Sequence, residues 1–265
     1  MKPKIHLLGI VNLTSDSYYA ASRAASCEAF MEQARRHVAE GADYIDIGAC
    51  STRPGSKPVG VEEEWRRLKP ALEALRKEFP GVRVSIDTYW ASVVERVYGC
   101  IGPFLVNDIS AGAFDGEMLP LVGRLGLPYI AMHLRGTPAT MQSLTGYPDG
   151  VTAEVLNYFR EFAAKAAEAG VTDWILDPGF GFAKTLEQNW TLLRELDQLQ
   201  VLKKPILVGV SRKSMIYKRF GITPEEALPA TQVAQFIALQ HGATWLRVHD
   251  VAEARRTAAI YSSIM

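Results

Sequence analysis

The chain has 265 residues, of which 48% are hydrophobic and 22% charged, a balance typical of a globular protein rather than a disordered or fibrous one. Lys and Arg total 29, as do Asp and Glu, so no overall basic field attracts nucleic acid or an anionic membrane. No apolar run approaches the roughly 18 residues of a membrane span, and the first residues make a poor signal peptide. The three cysteines are sparse and lack metal-ligand spacing, which predicts reduced thiols and a cytoplasmic protein.

Short apolar runs, rich in Ile, Val, Leu and aromatics, recur along the chain, and a helical pattern follows each one. This alternation predicts parallel strands that feed helices. Eight such units predict an α/β fold, a single-domain (β/α)8 TIM barrel over residues 1–265, whose strand ends surround one pocket. A doubly wound sheet is the alternative, but no G-x-G-x-x-G fingerprint follows the first strand. The predicted strands end at Asn12, Gly48, Asp87, Asn107–Asp108, His133, Asp177, Ser211–Lys213 and Arg247–Asp250.

Helices are predicted between the strands. Apolar residues at intervals of three and four indicate a helix over 61–79, with a kink expected at Pro70. Another is expected over 152–169, with Thr152 as its N-cap and Gly170 just after its end. His37 is expected on a helix surface. The remaining predicted helices cover 26–40, 90–99, 116–125, 185–197, 225–241 and 250–263.

Three of the predicted strand ends carry groups suited to a flat heterocycle. Asp87, Asn107 and Asp177 each follow a different apolar strand, and their oxygens would accept hydrogen bonds from ring N–H groups. Any one of them alone could simply cap the next helix. Three such residues around one end of the barrel favour a binding site.

Cations follow the last two predicted strands, where barrels frequently bind phosphate. Lys213 has three possible roles: donor to a ring, phosphate ligand, or Schiff-base nucleophile with a pKa lowered by burial and further by the neighbouring Arg212. His249 could be a base oriented by Asp250, or a phosphate ligand beside Arg247. Anion binding is the favoured interpretation of this segment.

The loops after strands 1 and 2, about 13–25 and 49–60, are long and rich in small residues, and the second carries Arg53 and Lys57. Long loops on a rigid barrel are typical places for lids and substrate contacts. The turn over 177–184 adds two glycines that permit close approach, and an aromatic face.

Taken together, the motifs resemble dihydropteroate synthase of the pterin-binding barrel family. The similarity includes GIVNLTSDS, STRPG at 51–55, SIDT, NDIS, MHLRGTPATMQ at 132–142, ILDPGFGFAKT, SRKS and RVHDV, in order and almost end to end. The resemblance implies condensation of 6-hydroxymethyl-7,8-dihydropterin diphosphate with 4-aminobenzoate, giving dihydropteroate and pyrophosphate in folate synthesis. It also implies a homodimer formed through barrel helices and a Mg²⁺ cofactor.

The same resemblance implies roles for individual residues. The pterin would contact Asp87, Asn107, Met132, Asp177 and Lys213. The diphosphate would contact Asn12, Arg247 and His249, with Asn12 also a Mg²⁺ ligand. Aminobenzoate would contact Thr52, Arg53, Pro54, Phe182 and Ser214. The residues expected to carry catalysis are Lys213, Asp87, Asp177, Arg247 and His249.

Two loop positions depart from the family pattern. Ala20 stands where the family usually has a second aspartate of the first loop, and Cys50 stands where it commonly has a glutamate. These changes keep open a pterin-binding paralogue that has lost or changed the second substrate. A second alternative is a methyltransferase that binds methyltetrahydrofolate and shares the pterin-ring residues. The methyltransferase would have no use for the diphosphate residues Asn12, Arg247 and His249.

Overall fold

The computed structural model describes residues 4–13, 20–50 and 59–264, with the backbone alone for 20–26. Within these ranges every β-strand belongs to one parallel sheet. The strands are β1 His6–Asn12, β2 Tyr44–Gly48, β3 Val84–Asp87, β4 Leu105–Asp108, β5 Tyr129–Met132, β6 Trp174–Asp177, β7 Leu207–Val208 and β8 Trp245–Val248.

The sheet curls into a barrel. Its eight strands run in the order β6-β5-β4-β3-β2-β1-β8-β7, so β1 pairs with both β2 and β8. The two ends meet through an isolated parallel bridge between Leu176 and Ile206, where the Leu176 N–H donates to the Pro205 carbonyl at 3.0 Å. The predicted (β/α)8 fold is confirmed.

Helices cover the outside of the barrel. They are α1 Ala20–Ala39, α2 Val61–Glu78, α3 Ala91–Ile101, α4 Met118–Leu125, α5 Val151–Glu168, α6 Leu186–Arg194, α7 Ser214–Phe220, α8 Leu228–Gln240 and α9 Val251–Ile264, with 3₁₀ turns at Met141–Ser143 and Leu196–Leu202. The sequence missed α7, whose seven residues are too few to show a clear period. The helix predicted over 185–197 instead ends at Arg194 and continues as a 3₁₀ turn.

Two local predictions about helices are wrong. Helix α5 begins at Val151 after Gly150, and the Thr152 hydroxyl donates to Glu195 Oε2 at 2.8 Å instead of capping the helix. His37 is fully buried rather than on the surface, with Nε2 3.1 Å from the Ile10 carbonyl oxygen. The predicted Gly170 after α5 is confirmed, with φ of 75°.

Apolar layers hold the barrel together and set the height of the polar site. The larger core lies between the strands and the helices. A smaller cluster of Leu8, Leu105, Ile130, Ile175 and Leu207 comes from five strands. Because side chains alternate along a strand, residues two positions apart share a face. The residues two positions after Leu105, Ile130 and Ile175 are Asn107, Met132 and Asp177, so these lie one layer above this apolar floor.

No helix within the described ranges has the length and apolar character needed to cross a membrane.

Two helical glycines, one tightly packed and one facing open space, test how the helices pack on the barrel. A Cβ at Gly123 of α4 would lie 1.8 Å from the Ala169 carbonyl oxygen, whereas one at Gly99 of α3 would meet nothing within 4 Å. We expect Gly123→Ala to lower the free energy of unfolding by about 2 kcal/mol or more through this clash. Gly99→Ala should raise it by about 0.5–1 kcal/mol, because alanine loses less entropy in a helix. Urea unfolding followed by circular dichroism measures both, and equal effects would contradict the described contact of α4.

Candidate active site

The carboxyl ends of the strands bring the predicted site residues to one mouth of the barrel. Parallel pairing fixes their relative heights, since residues opposite each other in register lie side by side. The register pairs Asn12 with Gly48, Gly48 with Asp87, Asp87 with Asn107, and Met132 with Asp177.

Arg247 links two of these strands from inside the barrel. Its Nε donates to Asp46 Oδ2 at 2.7 Å and its Nη2 donates to Asp87 Oδ2 at 2.8 Å. Asp46 also accepts from Ser85 Oγ at 2.6 Å and Asn107 Nδ2 at 3.2 Å. Sequence reasoning missed Asp46, although a carboxylate in the middle of the apolar run Tyr-Ile-Asp-Ile was a usable signal.

The strand-end carboxyl groups are strongly desolvated. Burial raises the pKa of Asp87 to about 7, while the neighbouring Arg247 guanidinium favours its charged form. Burial also raises the pKa of Asp177, opposed by Lys213 and by the Gly179 N–H, which donates to Asp177 Oδ1 at 2.8 Å. Both carboxyl groups therefore depend on nearby cations to stay ionised, and a polar ligand here meets groups that water reaches poorly.

Lys213 reaches across the mouth toward the loop after β6. Its Nζ donates to the Phe180 carbonyl at 2.7 Å and lies 5.0 Å from the centre of the Phe182 ring. Burial lowers the pKa of Lys213 to about 8, while Asp177 favours its charged form.

Arg212 does not take part in the way the sequence suggested. Its Nε and Nη2 each donate to the Asp250 carboxylate at 2.8 Å, and its Nη1 donates to backbone carbonyls of Pro224 and Glu225. Burial lowers the pKa of Lys213 as expected, but the cation that adds to this effect is Arg247 and not the predicted Arg212.

His249 is a neutral donor or acceptor rather than a cation. Burial and the charge of Arg247 lower the pKa of His249 to about 4. The Ser211 hydroxyl lies 3.1 Å from its Nδ1 and accepts from its backbone N–H at 3.2 Å. A Ser211 hydroxyl that donates to Nδ1 would leave the ring proton on Nε2. The interpretation of His249 as a base oriented by Asp250 is wrong, because the Asp250 carboxylate is held by Arg212.

Asn12 has the donor chemistry for a divalent cation. It ends β1 at an exposed position, and its Oδ1 lies 3.3 Å from where a Cβ on Gly48 would stand. Mg²⁺ prefers oxygen ligands and commonly takes one or two from the protein, with the rest from water and substrate phosphates. The amide oxygen of Asn12 fits such a site. Within the described ranges, His, Cys, Asp and Glu form no cluster of three or more that could supply a full protein cage.

The glycine-rich loop after β6 is held by a buried lysine that sequence reasoning left without a role. Lys184 Nζ lies 3.0 Å from each of His133 Nδ1, the Gly179 carbonyl and the Phe182 carbonyl. A Cβ on Gly179 would lie 2.2 Å from the His133 carbonyl oxygen, and its φ is 73°. Only glycine fits there, so the loop approaches β5 closely and brings Phe182 beside Lys213.

The residues predicted for aminobenzoate divide into two groups. Phe182 and Ser214, the first residue of α7, are both half-buried, and Phe182 borders the mouth beside Lys213. Thr52, Arg53 and Pro54 lie outside the described residues. Cys50, which does lie inside them, is buried with its Sγ 3.7 Å from the Tyr89 hydroxyl.

A cavity of about 290 Å³ lies near His133, but it is not this mouth. Arg135, Asp149, Glu154, Asn157, Tyr158 and Glu161 line its remaining walls. It contains none of the paired strand-end groups, so the hydrogen-bonded ring identifies the site better than the cavity does.

Fold and site together define an α/β-barrel enzyme whose mouth presents carboxylates, an amide and cations to a flat polar substrate. The family model for pterin binding enzymes matches residues 8–249. Dihydropteroate synthase of Escherichia coli K12 is 40% identical over 250 residues, which cover 94% of this chain and 87% of that protein. The chain therefore belongs to the pterin-binding enzymes and, within them, to the dihydropteroate synthase family, which is a family of transferases.

Solved structures agree with this assignment. Dihydropteroate synthase from Clostridium difficile in the presence of pteroic acid superposes with a TM-score of 0.91 and 33% identity, covering 98% of this chain and 97% of that one. The enzyme from Thermus thermophilus in complex with 4-aminobenzoate superposes with a TM-score of 0.86 and 41% identity, covering 99% of this chain and 95% of that one.

The state of His249 can be measured directly. We expect its imidazole to stay neutral at pH 6 and to titrate near 4, because burial and Arg247 disfavour the charged form. The folded state then binds fewer protons than the unfolded state between about pH 4 and 6.5, so stability falls as the pH drops through this window. A ¹⁵N NMR titration of the imidazole, assigned with a His249→Gln variant, reads the pKa. Titration near the ordinary value of about 6.5 would contradict the described burial.

Proposed function

We propose that this chain condenses 6-hydroxymethyl-7,8-dihydropterin diphosphate with 4-aminobenzoate to form 7,8-dihydropteroate and pyrophosphate. The observation that carries the proposal is the network at the mouth, where Arg247 bridges Asp46 and Asp87. Such a network offers acceptors and cations to one bicyclic substrate at once. The chain also matches relatives named dihydropteroate synthase over most of their length, which supports the same reaction.

The pterin ring is assigned to the acceptor-rich side of the mouth. Asp87, Asn107 and Asp177 accept its N–H groups, and Lys213 donates to a ring nitrogen or oxygen. All three acceptors are less than a tenth exposed, so a ring that failed to pair with them would leave desolvated polar groups unsatisfied. Met132, 3% exposed and opposite Asp177 in register, supplies an apolar contact for the flat ring.

The diphosphate is assigned to Asn12, Arg247 and His249. The guanidinium supplies charge, and the Nε2–H of a neutral His249 supplies a hydrogen bond that does not depend on protonation at neutral pH. Asn12 would hold Mg²⁺ through its amide oxygen. When bound, Mg²⁺ neutralises diphosphate oxygens and makes pyrophosphate a better leaving group.

The reaction needs stabilisation of separating charges rather than a strong base. The bond between the methylene carbon and the diphosphate oxygen breaks, and its electron pair leaves with pyrophosphate. Positive charge then spreads over the methylene carbon and the dihydropterin ring, where the carboxylates of Asp87 and Asp177 stabilise it. The arylamine nitrogen forms the new C–N bond and releases a proton to water.

Aminobenzoate is assigned to Phe182 and Ser214, with Thr52, Arg53 and Pro54 of the second loop as predicted further contacts. The Phe182 ring lies against the Lys213 ammonium, so a second aromatic ring placed there would approach the pterin side of the mouth. Cys50 in place of a family glutamate motivates the paralogue alternative, in which the pterin diphosphate binds but another acceptor, or none, attacks.

The proposed function is tested by supplying both substrates. Purified protein with Mg²⁺ should release pyrophosphate and form dihydropteroate in equal amounts, and chelation of Mg²⁺ should stop the reaction. Lys213→Ala should lower turnover at least 100-fold, since a charge-assisted contact and a site charge are lost together. Lys218→Ala, at an exposed position of helix α7, which begins directly after Lys213, is the matched control and should keep the wild-type rate.

The outcomes separate the candidates. Pyrophosphate release without dihydropteroate, or tight pterin diphosphate binding without either product, would identify the paralogue. Absence of thermal stabilisation by pyrophosphate with Mg²⁺ would favour the methyltransferase. A wild-type rate in Lys213→Ala would remove that residue from the mechanism.

We further propose a cytoplasmic homodimer. All three cysteines lie in the described part of the chain and none forms a disulfide, as expected in a reducing compartment. Helices α8 and α9 pack on each other and expose Val233, Ile260 and Ile264, each about 60% accessible. A partner surface would cover these apolar side chains.

The oligomeric state has a direct measurement. Sedimentation velocity of the wild-type protein should give a dimer, and Val233→Glu with Ile260→Glu should shift it toward the monomer, because two charges would be buried without partners. Val201→Glu, at an exposed residue outside both helices, is the control. A wild-type monomer would contradict the proposal.

A further inference from the structure

Asp46 is the most deeply buried carboxylate of the mouth and has no role in the reaction as described so far. Its side chain is 0% exposed in the middle of β2 and accepts hydrogen bonds from Arg247, Ser85 and Asn107. A buried carboxylate is costly unless it is paired and fully hydrogen-bonded. Asp46 meets that condition only because three other strands, β3, β4 and β8, direct donors to it.

The first consequence concerns the amide of Asn107. An amide can present either its donor end or its acceptor end to a ligand, and the two are similar in size. An ionised carboxylate only accepts, so the 3.2 Å contact with Asp46 Oδ1 requires the Nδ2 end of Asn107. The Oδ1 end is thereby turned to the other side, where it offers an acceptor to the mouth.

The second consequence concerns the guanidinium of Arg247. Asp46 accepts a hydrogen bond from Nε of Arg247, and Asp87 accepts one from Nη2. These two bonds fix the plane of the guanidinium between β2 and β3. The remaining nitrogen, Nη1, hydrogen-bonds to neither carboxylate and can donate to a ligand. Without Asp46, the planar fork could pair in bidentate fashion with Asp87 and occupy both oxygens that a pterin needs.

We propose that Asp46 is a positioning residue that sets the acceptor orientation of Asn107 and the plane of Arg247 for the pterin substrate. The inference rests on the proposed function, because it concerns how the same mouth recognises its first substrate. It assigns Asp46 to pterin recognition and not to aminobenzoate, because the hydrogen bonds of Asp46 go to Ser85, Asn107 and Arg247 and not to Phe182 or Ser214, two of the proposed aminobenzoate contacts.

The test begins with Asp46→Asn, which keeps the size of the side chain. Because Arg247 Nε can only donate, the new amide at position 46 should keep its oxygen on Arg247 and present its NH2 group to Asn107. The Asn107 amide must then turn its Nδ2 to the mouth or lose its partner. We expect the KM for the pterin diphosphate to rise about 10- to 100-fold, the effect of one or two charge-assisted hydrogen bonds. The KM for 4-aminobenzoate should stay within about twofold.

A reciprocal exchange tests the amide orientation itself. Asn107→Asp alone would place two carboxylates within hydrogen-bond distance and should weaken pterin binding severely. In the double variant Asp46→Asn with Asn107→Asp, the amide now on β2 donates to the carboxylate now on β4, whose other oxygen again faces the mouth as an acceptor. We expect this double variant to recover at least about tenfold in pterin KM relative to Asp46→Asn, an effect that a purely structural role of Asp46 would not produce.

Asp43→Asn, one residue before β2 begins, is the matched control. Asp43 Oδ2 accepts from the Leu7 N–H at 2.9 Å and from Arg255 at 2.8 Å, so this change also weakens an ion pair next to the sheet. It should lower the melting temperature without changing the pterin KM. If Asp46→Asn behaves like Asp43→Asn, with lower stability and unchanged pterin KM, Asp46 is structural and the inference is overturned.

Two further measurements keep the inference separate from folding and from the proposed function. Ser85→Ala removes the 2.6 Å donor to Asp46 and serves if Asp46→Asn does not fold; a rise in pterin KM of about two- to fivefold is expected, and no rise counts against the inference. If the wild-type protein makes no dihydropteroate, the proposed function fails. In that case, the affinity of the same variants for the pterin diphosphate, measured by calorimetry, tests the role of Asp46 independently of the reaction.

Discussion

The organisation of the mouth depends on one guanidinium placed among carboxylates. Arg247 joins Asp46 and Asp87, and through Asp46 it also fixes Asn107. Inside a barrel these charges have little access to water, so each is stable only because the others are present. The pairing register of the sheet brings them to hydrogen-bond distance. The apolar floor of Leu8, Leu105, Ile130, Ile175 and Leu207 lies one layer below Asn107.

The strands also separate the hydrogen-bond acceptors of the site from its donors. Acceptors lie on β3, β4 and β6, whereas Lys213 and His249 come from segments after β7 and β8. A substrate with a donor-rich ring at one end and an anionic group at the other can satisfy both sides without rearranging the barrel. Lys184 helps to keep this arrangement, because its contact with His133 holds the loop after β6 in place.

Much of this could be predicted from the sequence, and the failures share a cause. Periodic apolar runs and their abrupt polar ends were enough to predict the barrel and to bring Asp87, Asn107 and Asp177 to one rim. What the pattern could not give is which charge pairs with which across the barrel. Arg212 and Asp250 lie beside Lys213 and His249 in the chain, yet they bind each other. Asp46 and Arg247 are 201 residues apart and are in contact. Local spacing also carries no signal for a seven-residue helix such as α7.

The least extensive strand pairing of the barrel lies beside Lys213. Between β6 and β7 the sheet is joined by the single bridge of Leu176 and Ile206, and the Lys213 ammonium spans the same gap to reach the Phe180 carbonyl. This hydrogen bond therefore adds to the limited backbone pairing between β6 and β7. A ligand that took the ammonium away from the Phe180 carbonyl would remove a contact between the segments that follow β6 and β7, so binding at the mouth would then bear on the closure of the barrel.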